Sequence, residues 1–196
     1  MSVPTIRTER LVLRRWLQRD RGPFAAMNAD PGVMAHFPAL LSREESDALV
    51  ERIEADFDQH GFGLWALEVR STGAFIGFTG LAVPGFEAAF TPTVEIGWRL
   101  QRSAWGQGYA TEAARAALEV AFGEIGLREV VSFTSTVNER SRAVMHRLGM
   151  SHDPADDFDH PRVPPGSPLR RHVLCRLTAN RWRAQVRERA TAGDGR

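Results

Sequence analysis

Lysine is absent from this 196-residue chain, in which all 25 basic residues are arginine. A P-loop places a lysine directly after its last glycine, so this class of nucleotide site is excluded. Schiff-base chemistry also needs a lysine amine, and this requirement excludes the pyridoxal phosphate enzymes that depend on it. Any phosphate site in this chain therefore has to belong to another class.

Cysteine, net charge and long apolar runs are also scarce. The single cysteine, Cys175, cannot form an internal disulfide, which fits the cytosol. The N-terminal residues lack the apolar core of a signal peptide, and the longest uncharged run, 71–86, is too short and too rich in Gly and Pro to span a bilayer. A net charge of +1 argues against a general nucleic-acid binder. We therefore expect a cytoplasmic protein that binds neither membranes nor nucleic acid.

Length and composition predict one domain. Hydrophobic residues make up 43% and charged residues 25% of the chain, as in ordinary globular proteins. We expect a single domain over residues 1–190, followed by a flexible tail at 191–196. The order of elements is a strand, two helices, a run of strands, two strand–helix pairs and a final strand. This order predicts an α/β or α+β domain with a mixed central sheet.

Local signals place several element boundaries. Residues 5–16 are predicted as one strand, and Asp20 is expected to cap a short helix that ends at Asn28. The sequence Ser42-Arg43-Glu44-Glu45 is a capping box at the start of the second helix. Residues 153–168 are predicted as a polar, proline-rich loop.

The chain is organised around the stretch 93–122. Its first part, TVEIGWRL, alternates β-branched and aromatic residues and predicts a strand, whereas its last part carries the apolar stripe of a helix. Between them, Gly106 and Gly108 allow the backbone to approach a ligand closely, and the N-terminus of the helix favours an anion. A dinucleotide fingerprint needs a small residue at position 111, which is Thr111. The stretch therefore predicts a pyrophosphate-sized anion site that is neither a P-loop nor a dinucleotide fingerprint.

Four stretches resemble one known family. The segments 8–16, 61–81, 95–113 and 138–150 are similar to motifs of the GNAT superfamily, the GCN5-related N-acetyltransferases. The branch that they resemble contains the bacterial ribosomal-protein N-terminal acetyltransferases. The resemblance implies a mixed, mostly antiparallel central sheet of about seven strands, with splayed fourth and fifth strands and flanking helices.

The resemblance implies that acetyl-CoA binds as a co-substrate, with an amine acceptor as the other partner and no metal. It leaves a homodimer open. Two positions depart from the common pattern, because Ser103 stands where Gln or Arg is usual, beside Arg102, and Met145 stands where many members have Tyr. The residues that the resemblance assigns to the cofactor are Gly97, Trp98, Arg99, Leu100, Ser103, Ala104, Trp105, Gly106, Gln107, Gly108, Tyr109, Ala110, Asn138 and Ser141.

The resemblance also implies catalytic roles. Glu95 lies in an apolar strand, where burial raises the pKa of a carboxyl group, and it matches the general base of several relatives. A backbone N–H near Gly97 or Trp98 is expected to polarise the thioester oxygen, and Ser141 is the candidate donor to the departing thiolate. Structural interpretations remain open beside each role. Glu95 could face outward or pair with an arginine, Trp98 could only pack, Asn138 could be a helix N-cap, and Ser141 could be exposed or bonded to its own helix.

The acceptor end is expected to involve His36, Phe37, Trp65 and His160. The segment 152–160 contains two His and four Asp, and three interpretations stay open for it. It could form a metal site, a solvated acidic loop, or an acceptor-side loop whose negative charge attracts a protonated amine.

These observations predict an acetyl-CoA-dependent N-acetyltransferase in which a primary amine attacks the thioester directly in a ternary complex. Two alternatives remain: a non-catalytic acyl-CoA-binding regulator on the same fold, and a metal-dependent binding module built on residues 152–160. The acceptor is open among a protein N-terminus, a free amino acid, a polyamine and an amine-bearing antibiotic.

Overall fold

The computed structural model describes residues 5–193, which form two compact units. The first unit comprises residues 5–82 and 96–117, and the second comprises residues 83–95 and 118–193. The division falls inside one strand, between Glu95 and Ile96.

The first unit is built on strands that neighbour one another in chain order. Pairing is antiparallel from the first strand to the fourth. The prediction of one strand over residues 5–16 is wrong, because the structure has two short strands there. The Thr8 hydroxyl accepts a hydrogen bond from Leu11 N at 2.9 Å and so closes a turn between them. The strands are β1 (Ile6–Arg7), β2 (Leu11–Arg14), β3 (Leu64–Val69), β4 (Phe75–Ala82) and β5 (Glu95–Leu100), whose first residue belongs to the second unit.

Three α-helices complete the first unit: α1 (Arg21–Asn28), α2 (Arg43–His60) and α3 (Tyr109–Glu119), whose last two residues belong to the second unit. The capping box of α2 is confirmed, because Ser42 Oγ accepts from Glu45 N at 3.1 Å and the Glu45 carboxylate accepts from Ser42 N at 2.7 Å.

The cap predicted for α1 is wrong. Asp20 occupies the N-cap position but makes no capping bond. Its carboxylate instead lies 2.6 Å from the Arg14 guanidinium and accepts from Leu17 N. Fully buried, Asp20 finds a cationic partner in Arg14, which explains why it turns away from the helix.

Buried aromatic rings hold the core of the first unit. Trp16 packs edge-on against Phe24 with ring centroids 4.7 Å apart, and Phe57 packs in the same way against Trp65 at 5.5 Å. Gly77 lets β4 approach β5 closely: its φ is +134°, and an added Cβ would lie 2.1 Å from the Arg99 carbonyl oxygen.

The second unit is organised around one long strand, β9 (Arg171–Thr178). It pairs antiparallel with β6 (Glu129–Ser135), β7 (Ser151–His152) and β8 (Phe158–Asp159). Glu95, the first residue of β5, pairs in parallel with Val131 of β6. A π-helical turn (Val120–Glu124) follows α3, and the other helices are α4 (Glu139–Arg147) and α5 (Ala179–Gly193).

The predicted fold class is confirmed as a mixed α/β fold with mostly antiparallel strand pairing. Residues 5–193 contain nine strands rather than about seven, because the first strand is split and short strands pair with β9. The loop predicted at 153–168 is corrected in part, since it contains a 3-10 helix (Pro154–Asp156) and β8. The helix α5 reaches into the predicted tail, of which residues 194–196 lie outside the described part. Within that part, every helix is too short or too polar to cross a membrane.

Candidate active site

The glycine turn of the first unit has the geometry of an anion site. Gly106 and Gly108 adopt φ values of +74° and +80°, a left-handed conformation that other residues rarely take. A Cβ added at Gly106 would meet no atom within 4 Å, so this part of the turn is uncrowded. Helix α3 follows directly, and its first bond joins Glu112 N to Gly108 O at 3.1 Å. The N–H groups of the first turn therefore have no acceptor within the helix and can bind an anion.

Arg10 holds this turn from outside the motif. Its Nη1 donates to Gln107 O at 2.9 Å, its guanidinium lies 4.7 Å from the centroid of the Tyr109 ring, and it forms a 2.6 Å ion pair with Glu112. Sequence analysis missed Arg10, because it lies 97 positions before Gln107 and no local pattern links the two. Gln107 Nε2 adds a bond to Ser103 O at 2.8 Å, which stiffens the turn.

Other residues predicted to bind the cofactor surround the turn and β5. Trp105 Nε1 donates to Leu100 O at 2.8 Å, and the Thr79 hydroxyl donates to Gly97 O at 2.9 Å. Trp98 is half-buried, Ala104 is buried, and Ala110 belongs to the first turn of α3. Arg102 is 64% exposed and lies 3.9 Å from Asp30, so its guanidinium is accessible to a phosphate group.

Three residues predicted at the acceptor end, His36, Phe37 and Trp65, lie in the first unit and differ in their contacts and burial. Phe37 packs against the Arg99 guanidinium at 4.0 Å, and Arg99 Nη1 donates to Asn28 Oδ1 at 2.7 Å. Burial lowers the pKa of Arg99 to about 10. His36 precedes Phe37 in the same loop. Trp65 is fully buried and packs against Phe57, so its observed role is in the core of this unit.

Glu95 is an isolated carboxyl group in the second unit. It is half-buried, and within residues 5–193 it forms neither a hydrogen bond nor an ion pair. Burial raises the pKa of this carboxyl group to about 8. A group with this pKa accepts a proton effectively at neutral to mildly alkaline pH, as a general base must.

Helix α4 carries the second predicted motif. Asn138 is its N-cap: the side-chain oxygen accepts from Ser141 N at 3.2 Å, and Nδ2 donates to Thr134 Oγ1 at 2.9 Å. Asn138 therefore caps the helix, which is the structural interpretation that sequence analysis left open for it. Ser141 is half-buried, and its hydroxyl forms no hydrogen bond within the described part of the chain. Met145, one turn further on, is buried and offers no donor.

The acidic segment 152–160 is held together by ion pairs and backbone bonds. Each of its four Asp side chains binds an arginine, a histidine or a backbone N–H. In residues 5–193, no three His, Cys, Asp or Glu side chains are grouped so that they could hold a metal ion. The contacts are His152 with Asp157 at 2.7 Å, Asp156 with Arg176 at 2.7 Å, Asp159 with Arg170 at 3.2 Å, and Asp153 with Ala155 N at 2.9 Å.

His160 belongs to a group of rings that sequence analysis otherwise missed. Burial, together with the charges of His172 and Arg162, lowers the pKa of His160 to about 4, so the imidazole is neutral at pH 7. Its Nδ1 accepts from Arg162 N at 3.2 Å. We name this group the aromatic–histidine cluster; it consists of Phe86, Phe90, Phe133, Phe158, His160 and His172.

Comparison with known proteins identifies the family of this chain. Residues 10–151 match the model of the acetyltransferase (GNAT) domain family. The FsC-acetyl coenzyme A-N(2)-transacetylase of Aspergillus fumigatus is 35% identical over 170 residues, which cover 83% of this chain and 72% of that protein.

Solved structures extend the comparison. An acetyltransferase from Agrobacterium tumefaciens is 29% identical with a TM-score of 0.72, and the match covers 90% of this chain and 95% of that one. A RimL ribosomal-protein acetyltransferase in complex with coenzyme A shares the fold at 16% identity, with a TM-score of 0.70 over 91% of this chain and 98% of that one. The chain is therefore an acetyltransferase that belongs to the GNAT family.

Proposed function

We propose that this protein transfers the acetyl group of acetyl-CoA to a primary amine, which attacks the thioester directly in a ternary complex. GNAT proteins use acetyl-CoA, and the 35% identical relative is named as a transacetylase that acts on a nitrogen. The observation that carries the proposal is Glu95, a half-buried carboxyl group with a pKa of about 8 and no partner within residues 5–193.

The reaction needs one proton acceptor and one leaving group. The amine nitrogen attacks the carbonyl carbon of the thioester, and the carbon–sulfur bond breaks as the carbon–nitrogen bond becomes an amide. The proton released by the amine passes to the Glu95 carboxylate, directly or through a water molecule. Coenzyme A departs as a thiolate that is then protonated.

The first unit supplies the groups that we assign to the cofactor. The N–H groups at the Gly106–Gly108 turn and the first turn of α3 bind the pyrophosphate, and Arg102 adds a positive charge. A backbone N–H near Gly97 or Trp98 donates to the thioester oxygen as negative charge develops there.

Ser141 is assigned to the leaving group. A thiol has a pKa of about 8.5, so a thiolate can depart without full protonation. The Ser141 hydroxyl, which forms no hydrogen bond within the described residues, donates to the sulfur as charge develops. Met145 cannot duplicate this bond, because its side chain carries no donor.

The proposal is tested by an acceptor screen with purified protein, acetyl-CoA and amines of each open class, with mass spectrometry of the products. We expect an acetylated amine and stoichiometric free coenzyme A. Glu95→Gln should abolish most of the turnover, whereas the matched variant Glu119→Gln, at an exposed position of α3, should retain it. Tight binding of acetyl-CoA with no acetylated amine in any class would instead favour the non-catalytic regulator.

A further inference from the structure

Most rings of the aromatic–histidine cluster are more exposed to solvent than the rings of the hydrophobic core. Its ring centroids lie close together, with Phe86 and His160 at 4.6 Å and Phe90 and Phe158 at 4.8 Å. Yet the four Phe rings and His160 are only half-buried, whereas core rings such as Phe24 and Phe57 are almost fully buried. A contiguous apolar surface therefore stays accessible on this cluster.

Strand register places the cluster on the same face as Glu95. Glu95 pairs with Val131, and Phe133 lies two residues further along β6, about 6–7 Å away, with its side chain on the same face. On β9, His172 pairs with Ser135 of β6 and with Phe158 of β8. Directly paired residues share a face, so these rings also lie on the Glu95 face.

The segment before β5 closes the cluster from another side. Phe86 lies 5.6 Å from Phe133, and Phe90 lies 5.9 Å from the same ring. Phe86 and Phe90 thus pack against Phe133. Val131, the pairing partner of Glu95, and Phe133, the first ring of the apolar surface, are two residues apart along β6.

The charges around the cluster restrict what it can bind. Burial lowers the pKa values of His160 and His172, and neither imidazole pairs with a carboxylate within residues 5–193. The guanidinium of Arg162 lies 5.9 Å from the centroid of Phe86 and donates to Gly85 O. The two aspartates that flank Phe158 already have partners, Asp157 with His152 and Asp159 with Arg170. The Arg162 cation repels a molecule that carries several positive charges, and the paired aspartates are not free to neutralise such a molecule.

We infer that the aromatic–histidine cluster binds the apolar body of the acceptor, so the substrate class is a monoamine whose nitrogen lies a short spacer away from an aromatic or branched apolar group. This inference rests on the proposed function and names the acceptor for the same reaction. Polyamines and aminoglycosides fall outside the class, because Asp157 and Asp159, the aspartates beside Phe158, are already bonded to His152 and Arg170 and are not free for additional ammonium groups.

The first arm of the test compares acceptors that differ in the apolar group. With saturating acetyl-CoA, kcat/KM is measured for 2-phenylethylamine, ethylamine, spermidine and kanamycin. We expect 2-phenylethylamine to exceed ethylamine by about 100-fold or more, because the ring buries apolar area that ethylamine lacks. Faster acetylation of spermidine or kanamycin than of 2-phenylethylamine would overturn the inference while leaving the proposed function intact.

The second arm changes the cluster itself. Phe86→Leu lies in a segment outside the helices and strands, so folding should be preserved. We expect it to raise KM for 2-phenylethylamine by about 10-fold with an unchanged KM for acetyl-CoA and unchanged kinetics with ethylamine. The matched control is Phe62→Leu, at a ring that contacts His60 outside the cluster and should leave acceptor KM unchanged.

A binding measurement separates the two claims. Isothermal titration of 2-phenylethylamine is performed in the presence of coenzyme A, which cannot donate an acetyl group. Binding that Phe86→Leu weakens, without acetylation by the wild type, would support the cluster and contradict the proposed function. Equal loss of ethylamine and 2-phenylethylamine turnover in Phe86→Leu would show a structural role only and would overturn the inference.

Discussion

Replacement of Glu95 by Gln tests the proposed base most sharply. The substitution keeps the shape of the side chain and removes its ability to accept a proton. General bases typically contribute roughly 10²–10⁴-fold to the rate, so we expect kcat to fall by about 100-fold or more with little change in affinity for acetyl-CoA.

The pH dependence adds a second signature. With a pKa of about 8, Glu95 is about one-tenth ionised at pH 7 and about nine-tenths ionised at pH 9. If Glu95 must be ionised, kcat of the wild type should rise by about 10-fold over this range, with an inflection near the pKa of the ternary complex. The assay follows free thiol at saturating concentrations of both substrates, where kcat no longer depends on the binding of the amine.

The free energy of unfolding should fall as pH rises, whereas kcat should increase. The pKa of Glu95 is about 8 in the folded protein, above the ordinary value of 4.5, so the folded state holds its proton more tightly than the unfolded state. The free energy of unfolding therefore loses a contribution as pH rises from about 4.5 through 8. Glu95→Gln should be progressively more stable than the wild type over this range, as measured by thermal unfolding. A variant with unchanged kcat, an unchanged pH profile and no gain in stability at pH 9 would refute the reasoning.

Three further substitutions test other parts of the account. Gly108→Val should weaken coenzyme A binding by at least about 10-fold in isothermal titration, because φ is +80° and a branched side chain would meet the phosphate; Gly126→Val, at a φ of +76° outside the turn, controls for backbone strain and should bind normally. Ser141→Ala should slow turnover by about 10- to 100-fold at unchanged acetyl-CoA affinity, with partial recovery in Ser141→Cys, whereas a lower melting temperature with normal kcat would support a structural role. Gly77→Ala should destabilise the fold by roughly 1–3 kcal/mol or more in urea unfolding, because its Cβ would lie 2.1 Å from the Arg99 carbonyl oxygen, and an unchanged midpoint would contradict this packing.

Signals that act over a few residues were predictable from sequence. The capping box at Ser42, the N-cap at Asn138 and the glycine turn before α3 all depend on groups two or three positions apart. These signals, together with the motif resemblance, were enough to predict the fold class and the family.

Features that depend on distant contacts were not predictable in this way. Arg10 supports Gln107 across 97 positions. The Asp20 side chain binds Arg14 instead of capping α1, because a buried carboxylate needs a cationic partner. The aromatic–histidine cluster collects rings from four separate segments, and His160 is the only one of these rings that sequence analysis singled out. Strand register brings these rings together, and register is not visible in the local pattern of one strand.

Mass spectrometry of both protein and acceptor tests the central claim most directly. The protein is mixed with acetyl-CoA alone and then with acetyl-CoA and 2-phenylethylamine, and the intact masses of enzyme and amine are recorded. The account predicts an enzyme of unchanged mass in both mixtures and one acetyl group on the amine nitrogen in the second. An acetylated enzyme that passes its acetyl group to the amine after acetyl-CoA is removed would contradict direct attack in a ternary complex.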